Sequence, residues 1–182
     1  IAERLGGYPC FVKPANLGSS VGVSKASNEK ELICGIYEAG KFDRRVIVEE
    51  GMNIREVETA VIGNDEPIAA VVGEIIPSAE FYDYTAKYFD GGQSKLIIPA
   101  DLPKETSEKI REYAVRAYKT LDCAGFARVD FFVTKDTGEI YINEINTIPG
   151  FTAFSMFPLL WENTGSPYSE TIERIIRLGY ER

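Results

Sequence analysis

The 182-residue sequence contains no histidine. This absence excludes a Ser-His-Asp triad, histidine metal ligands and histidine proton shuttles. Any chemistry that the chain performs must therefore use carboxylates, lysine, arginine, serine and tyrosine.

Cysteine is scarce, with three residues, Cys10, Cys34 and Cys123, that lie far apart in the sequence. A disulfide framework or a zinc site needs closer, paired spacing. We therefore expect all three to be reduced core residues of a cytoplasmic protein.

Long apolar runs and an excess of positive charge are also missing. No segment approaches the roughly 18 apolar residues that span a bilayer, and the N-terminus lacks the pattern of a signal peptide. The 20 Lys and Arg residues against 28 Asp and Glu residues give a net charge of −8, which disfavours broad contact with nucleic-acid backbones. We expect neither a membrane nor a nucleic acid as a partner.

What is present is an ordinary globular composition, 45% hydrophobic and 26% charged, with strand and helix patterns in alternation. The alternation predicts an α+β or α/β fold in two lobes, a strand-rich lobe over 1–50 and a sheet-and-helix lobe over 51–182. The opening residues 1–7 resemble the end of a helix that stops at a glycine, so we expect the chain to be part of a longer protein.

Helix boundaries are marked by capping and glycine signals. Asn28, with Glu31 three residues later, fits a capping box and predicts that a helix begins there. Apolar residues at helical spacing predict a second helix over 104–122. Gly179 is predicted to end the last helix.

An acidic hairpin over 128–146 carries the strongest pattern, because apolar strands that contain acids flank the turn Asp136-Thr137-Gly138. A three-residue loop with glycine in the left-handed position sets the register of such a hairpin. The predicted pairs are Lys135 with Glu139, Asp130 with Glu144, and Arg128 with Asn146. The period of two then places the last four of these residues on one face of the sheet.

Asp130, Glu144 and Asn146 offer two carboxylates and an amide on that face, which are oxygen ligands of the kind that Mg²⁺ prefers. Two alternatives stay open. The hairpin can be an exposed one whose acids are neutralised by Arg128. The close carboxylate pair can also be that of a retaining glycosidase, although nothing else in the chain resembles a sugar cleft.

A loop of small residues over 15–22 follows Lys13. Its backbone N–H groups and glycines would allow close approach of a phosphate, and Lys13 would add a positive charge. A plain turn between two strands is the alternative reading of the same residues.

Each of two further stretches has a structural and a functional interpretation. Glu49, Glu50 and Glu56 are either solvated acids or include a partner for ribose hydroxyls. The aromatic stretch over 81–88 is either a mobile surface loop or a lid that brings Lys87 to phosphates and excludes water.

Taken together and in this order, these segments resemble the ATP-grasp enzymes, most closely the D-alanine–D-alanine ligase family. The resemblance covers essentially the whole chain but only the C-terminal part of the family's chain, so we expect the family's N-terminal substrate domain to lie outside this sequence. The segments that carry it are Phe11–Pro14, Gly18–Gly22, Val46–Glu49, Arg55-Glu56, Phe81–Tyr88, Ala127–Asp130 and Asn143–Gly150.

The resemblance implies an ATP-grasp α+β fold, with antiparallel sheets in two lobes and an ATP cleft between them. It also implies two Mg²⁺ ions, with Mn²⁺ as a possible substitute, held by Asp130, Glu144 and Asn146, of which Glu144 bridges the ions. The implied nucleotide contacts are adenine and α-phosphate for Lys13, the adenine amino group for Glu49, the ring for the Met52 backbone, ribose for Glu56 and the γ-phosphate for Lys87.

The catalytic roles that the resemblance implies centre on a tetrahedral intermediate. Arg128 and the backbone N–H of Gly150 would stabilise its negative charge. The other implied roles are contacts with the second substrate for Ser155, the Met156 backbone and Tyr82, and placement of the second site and its lid for Ser19 and Tyr88.

The implied reaction is the ATP-dependent ligation of two D-alanines through an acylphosphate, for peptidoglycan synthesis, by a cytoplasmic protein that forms a homodimer when intact. The alternatives are an isolated Mg-ATP-binding fragment without turnover and a related ligase with D-lactate or D-serine as the second substrate. Within this family, Tyr88 favours D-alanine. Glu50 departs from the pattern, because members often carry a lysine there near the adenine.

Overall fold

The computed structural model describes residues 1–18, 20–76, 95–152 and 154–181. This part of the chain forms eight β-strands, four α-helices and a short 3-10 helix at Ala2–Leu5. The strands are β1 (Cys10–Pro14), β2 (Ser24–Ala26), β3 (Val46–Glu50), β4 (Ile54–Ile62), β5 (Ile68–Ile76), β6 (Lys95–Ile97), β7 (Phe126–Thr134) and β8 (Ile140–Asn146). The helices are α1 (Glu29–Ala39), α2 (Lys104–Thr120), α3 (Met156–Thr164) and α4 (Tyr168–Tyr180).

The chain divides into two compact units, unit 1 over Ile1–Asn53 and unit 2 over Ile54–Ile76 and Leu96–Arg182. Each unit has its own sheet and its own apolar core. In the first sheet, β1 pairs antiparallel with β2 and with β3. In the second sheet, β4 pairs antiparallel with β5 and β7, and β7 pairs antiparallel with β8. Antiparallel sheets with helices packed on them confirm the predicted α+β class.

Unit 1 is a three-stranded sheet in the order β2-β1-β3, with α1 packed on one face. The predicted capping box begins α1, because the Asn28 side chain accepts from the Glu31 N–H at 3.0 Å. The Glu31 carboxylate accepts in turn from the Ser27 N–H at 2.8 Å, and these bonds lower the pKa of Glu31. The buried residues of this core are Val12, Ala26, Leu32 and Ala39.

Unit 2 is a five-stranded sheet in the order β6-β5-β4-β7-β8. Helix α2 covers one face, because its apolar stripe meets the inward residues of β4, β5 and β7. Alternation along those strands places the same residues on that face. The main members of this core are Val57, Val61, Val72, Ile110, Ala114, Tyr118, Val129 and Phe131.

The opposite face of the same sheet changes character along its length. At one end Ala60, Ile62 and Phe126 pack against α3 in an apolar cluster that includes Phe157 and Leu160. At the other end the strands carry charged side chains instead, namely Glu56, Glu58, Arg128 and Asp130. Among the described residues, core packing on this face therefore involves its apolar half, and the charged half is where functional residues are expected.

Two sequence predictions need correction. Gly179 does not end the last helix, because α4 continues to Tyr180. The three cysteines are free, but only Cys10 is a core residue, whereas Cys34 is exposed and Cys123 is half-buried. Burial raises the pKa of the Cys123 thiol. None of the helices in the described ranges is both long and apolar enough to cross a membrane.

Candidate functional site

The hairpin of β7 and β8 brings the predicted acids together. Asp130 lies directly opposite Glu144, and Arg128 lies opposite Asn146, as the sequence predicted. Nearer the turn the predicted register is wrong by one residue. Glu139 was predicted to lie opposite Lys135, but its carbonyl accepts from the Thr134 N–H at 3.0 Å. The connection is thus longer by one residue than the predicted loop, although Gly138 has the expected positive φ of 70°.

A β-bulge at Asn143 restores the register. Phe131 lies opposite Ile142, whereas the next residue, Asp130, lies opposite Glu144, so Asn143 is the extra residue. A one-residue slip moves side chains to the other face of a sheet. The bulge therefore keeps Glu144 on the same face as Asp130 despite the longer turn.

Arg128 forms a bidentate ion pair with Asp130. Its Nε and Nη2 atoms donate to Oδ1 and Oδ2 of Asp130, both at 2.7 Å. Asp130 is only 8% exposed, and the Arg128 side chain is 20% exposed. Arg128 does offset the charge of an acid, as one of the predicted alternatives requires. The pair is largely buried, however, and differs in that respect from a freely solvated hairpin.

Glu58 is a third carboxylate of this cluster that the sequence analysis did not identify. It lies on β4 directly opposite Asp130, and its Oε2 atom is 3.0 Å from the Nε atom of Arg128. Glu58 is 6% exposed. The signal was available in the alternation of Glu56 and Glu58 with apolar and other side chains along β4, but the link of Glu58 to Arg128 required the order of strands in the sheet.

The electrostatics of the cluster favour a bound cation. Burial alone would lower the pKa of Arg128, but its hydrogen bonds to Asp130 and the charges of Glu58, Asp130 and Glu144 raise it above its usual range. Arg128 is therefore a permanent cation that faces three carboxylates. The local excess is negative, and a divalent ion would offset it.

Asp130, Glu144 and Asn146 fit the donor chemistry of Mg²⁺, which takes one or two carboxylates together with water and phosphate oxygens. Glu144 is exposed and Asn146 is half-buried, so both are open to solvent. The Asn146 Oδ1 atom accepts from the Ile148 N–H at 3.1 Å, which fixes the direction of the amide. No group of three or more His, Cys, Asp or Glu residues among those described is arranged as a metal site.

The segment from β8 to the start of α3 carries Gly150, which was predicted to stabilise the oxyanion, and the predicted substrate contacts Ser155 and Met156. A β-carbon at Gly150 would lie 2.9 Å from the Ser155 Oγ atom. The Oγ atom of Ser155 also accepts from the Thr152 N–H at 3.0 Å. Phe151 anchors the loop, because its ring centroid lies 5.0 Å from that of Phe157. Met156 is the first residue of α3, where backbone N–H groups have no partner within the helix.

The start of α3 lies beside the acidic cluster. Gly73 on β5 is directly opposite Glu58. A β-carbon at Gly73 would be 2.9 Å from the Met156 Sδ atom, so the first turn of α3 packs on the strand next to Glu58. Unit 2 thus brings the predicted residues of the acidic hairpin and the first turn of α3 to the same sheet face, where the charged and apolar halves of that face meet.

Unit 1 carries the predicted adenine-side residues on the face of its sheet opposite α1. Lys13 Nζ is 2.7 Å from Glu49 Oε1, and the two side chains are 22% and 36% exposed. Phe11 lies directly opposite Glu49 on the same face. Glu50 lies opposite Cys10 and so belongs to the other face of β3. Its side chain therefore lies on the face away from the Lys13–Glu49 pair.

Of the remaining predicted residues, Met52 is half-buried after β3 and Glu56 is half-buried on β4, on the same face as Glu58. The small-residue loop turns through Ser20 and Gly22, with φ values of 58° and 74°. The other predicted residues lie outside the described part of the chain: Ser19, Tyr82, Lys87 and Tyr88.

Comparison with known proteins places the chain in a family. A family model described as the D-Ala–D-Ala ligase C-terminus matches residues 1–177. The chain belongs to this family. A D-alanine–D-alanine ligase of Ruminiclostridium cellulolyticum is 63% identical over 176 residues, which cover 96% of this chain and 47% of that protein. One of Geobacillus kaustophilus is 59% identical over 180 residues, with 99% and 48% covered.

Solved structures give the same family and fold. The VanG D-Ala:D-Ser ligase from Enterococcus faecalis has a TM-score of 0.83 and 45% identity over 94% of this chain and 49% of its own. The D-alanine–D-alanine ligase from Coxiella burnetii has a TM-score of 0.83 and 38% identity over 95% and 45%. The resemblance to the ATP-grasp D-Ala ligases is therefore confirmed. The chain spans about half the length of the curated relatives it matches.

Proposed function

We propose that the complete protein ligates two D-alanines to D-alanyl-D-alanine at the expense of ATP, and that this chain supplies its nucleotide, metal and second-substrate residues. The observation that carries the proposal is the pair of opposed carboxylates, Asp130 and Glu144, beside the buried cation Arg128. Family membership and relatives named D-alanine–D-alanine ligase at 56–63% identity support the choice of reaction.

In unit 1, the Lys13–Glu49 pair is proposed to bind the nucleotide. Its lysine is a cation suited to an α-phosphate, and its carboxylate can accept from an adenine amino group. The Met52 backbone would contact the ring, and Phe11, opposite Glu49, adds apolar surface to the same face. In unit 2, Glu56 would accept hydrogen bonds from the ribose hydroxyls.

The acidic hairpin is proposed to bind the metal ions that the family uses with ATP. Asp130, Glu144 and Asn146 would hold two Mg²⁺ ions, or Mn²⁺, and these ions would screen the charge of the phosphates during transfer. The protein's own part is to hold these three oxygen donors on one sheet face, which the bulge at Asn143 makes possible.

The reaction we propose has two steps. The carboxylate of one D-alanine takes the γ-phosphoryl group of ATP to form an acylphosphate, and ADP leaves. The neutral amine of the second D-alanine then attacks the carbonyl carbon, phosphate leaves with the bonding electron pair, and the amine nitrogen releases a proton as the amide forms. Arg128 and the Gly150 N–H would stabilise the oxyanion that forms in the second step.

Ser155 and the Met156 N–H are proposed to hold the carboxylate of the second D-alanine. The N-terminus of α3 favours an anion, because first-turn N–H groups and the helix dipole both point toward it. The roles of Ser19, Tyr82, Lys87 and Tyr88, a cytoplasmic location and a homodimer remain predictions from the family resemblance.

Asp130→Asn in the complete protein tests this proposal. The substitution keeps the size of the side chain but removes a ligand charge and weakens the pair with Arg128. We expect D-alanine-dependent phosphate release from ATP to fall at least about 100-fold. Asp136→Asn, in the exposed turn of the same hairpin, is the charge-matched control and should keep full activity. If the unaltered protein forms no D-alanyl-D-alanine from ATP and D-alanine, the proposed function is wrong.

D-Serine is a second candidate for the attacking substrate, because the VanG structure, 45% identical to this chain, is that of a D-Ala:D-Ser ligase. The curated relatives of higher identity favour D-alanine. Parallel assays with D-alanine, D-serine and D-lactate as second substrate distinguish the candidates by their kcat/KM values.

A further inference from the structure

Glu58 is a buried carboxylate to which the proposed reaction assigns no role. It lies in the middle strand of the five, β4, with Gly73 opposite on one side and Asp130 opposite on the other. Only 6% of it is exposed. A buried carboxylate is costly unless it is paired and hydrogen-bonded, so its retention at this position calls for a reason.

The guanidinium of Arg128 lies between two carboxylates. Its Nε atom is 2.7 Å from Asp130 Oδ1 and 3.0 Å from Glu58 Oε2, while its Nη2 atom is 2.7 Å from Asp130 Oδ2. Asp130 belongs to the same strand as Arg128, whereas Glu58 belongs to the neighbouring strand. Arg128 is thus held from two directions.

In the proposed function, the Asp130 carboxylate would bind both Arg128 and a metal ion. Both oxygens accept from Arg128, and the same carboxylate would bind a metal ion. A divalent ion on Asp130 withdraws charge from that carboxylate and repels the guanidinium, so the Arg128–Asp130 bonds weaken when the metal is bound. Glu58 is not one of the proposed metal ligands, so a bound metal does not compete for its contact with Arg128.

We propose that Glu58 is a positioning residue that holds Arg128 in place when Asp130 binds metal. The inference rests on the proposed function, in which Arg128 must meet the developing oxyanion while the metal site is occupied. The surroundings of Glu58 suit this role, since Met156 packs at Gly73, which lies opposite Glu58. That packing places Met156 on the β5 side of Glu58, away from the strand that carries Arg128 and Asp130.

Glu58→Gln in the complete protein is the main test, with Glu58→Asp as the second variant. Gln keeps the volume and an acceptor oxygen but removes the charge, whereas Asp keeps the charge on a shorter side chain. We expect kcat for D-alanyl-D-alanine formation to fall about 10- to 100-fold in Glu58→Gln, with the KM for ATP within about twofold. Glu58→Asp should recover part of the lost kcat. Glu66→Gln, at an exposed acid in the turn between β4 and β5, is the control.

A second readout does not depend on activity. In protein labelled with ¹⁵N-arginine, the Arg128 Nε–H resonance should stay sharp in the unaltered protein both with and without Mg²⁺. In Glu58→Gln it should be sharp without Mg²⁺ and should broaden when Mg²⁺ is added, because only then does Arg128 lose Asp130. A merely structural role would change the resonance equally in both conditions.

The outcomes separate the two hypotheses. If the unaltered protein forms no D-alanyl-D-alanine, the proposed function fails, but the resonance of Arg128 still tests its link to Glu58. The inference is overturned if Glu58→Gln keeps full kcat, or if its Arg128 resonance responds to Mg²⁺ as in the unaltered protein. If Glu58→Gln does not fold, Glu58→Asp decides. Full kcat in Glu58→Asp, or an Arg128 resonance that responds to Mg²⁺ as in the unaltered protein, then overturns the inference.

Discussion

Two arginine–carboxylate groups lie on opposite faces of the sheet in unit 2, and they differ in their balance of charge. Arg55 donates through Nε and Nη2 to Glu74 at 2.7 and 2.6 Å, and through Nη2 to the Asp101 carbonyl at 2.8 Å. This pair on the α2 face contains one acid for one base. The Arg128 cluster has more acids than bases and so has a use for a further cation.

Arg55→Ala tests the first pair at the scale of one residue. The substitution leaves Glu74, whose side chain is 9% exposed, without its cation. We expect the free energy of unfolding, measured with urea, to fall by about 3 kcal/mol. Arg177→Ala, which removes an exposed pair with Glu173 on α4, is the matched control and should cause no measurable change. Equal effects of the two substitutions would contradict the buried role of Arg55.

The pH dependence of this contribution follows from its sign. The hydrogen bond to Glu74 raises the pKa of Arg55 in the folded protein. A raised folded-state pKa gives stability that is present below the unfolded pKa and is lost only as the pH rises through the folded value. The stability difference between Arg55→Ala and the unaltered protein should therefore be constant between about pH 6 and pH 9.

At the scale of elements, two glycines inside helices differ in the space that surrounds them. A β-carbon at Gly35 in α1 would lie 2.5 Å from the Ser24 Oγ atom and 3.2 Å from Val12 Cγ2, because the helix packs closely on β1 and β2. A β-carbon at Gly179 in α4 would meet nothing within 4 Å. The first glycine is required by packing, and the second is not.

Gly35→Ala and Gly179→Ala should therefore change stability in opposite directions. Alanine favours a helix over glycine by about 1 kcal/mol, whereas an added methyl in a close contact costs about 1–3 kcal/mol. We expect Gly179→Ala to raise the free energy of unfolding by up to about 0.5 kcal/mol and Gly35→Ala to lower it by about 1 kcal/mol. Urea denaturation measures both. A rise in both variants would show that α1 does not pack as closely as described.

Local patterns predicted most elements, and long-range pairing explains what they missed. The capping box at Asn28 and the alternation in β7 and β8 are local signals, and both were confirmed. The bulge at Asn143 depends on how the turn and the paired strands fit together, so no local rule locates it. Glu58 was missed for a similar reason, because its partner lies on a strand that is distant in sequence.

At the scale of the whole molecule, the two units have separate cores, and each should respond to its own substitutions. Leu32→Ala removes a buried side chain from the core of unit 1, which costs about 2–5 kcal/mol. We expect faster amide hydrogen exchange in Ile1–Asn53 and unchanged exchange in β4 and β7, because local opening follows local packing.

Leu160→Ala is the reciprocal variant, because Leu160 belongs to the α3 cluster of unit 2. It should accelerate exchange in β4 and leave Ile1–Asn53 unchanged. Exchange can be followed by mass spectrometry of peptic fragments of the complete protein. Equal acceleration in both units by either variant would show that the chain opens as one cooperative body.

Whole-chain properties predicted the class of chemistry but not the location of the site. The lack of histidine directed attention to carboxylates, lysine and arginine, and the cluster around Arg128 consists of such groups. The net charge of −8 is a sum over the chain and cannot show where acids accumulate. That information came from strand register at the hairpin and, for Glu58, from the order of the strands in the sheet.

The bulge at Asn143 also bears on how such a hairpin can change over generations. A codon gained or lost in the turn would normally invert the faces of every later residue in the strand. Where a bulge already holds one surplus residue, a gain in the turn can be offset by a loss at the bulge, and the reverse. Asp130 and Glu144 can then stay opposed in descendants whose turns differ in length.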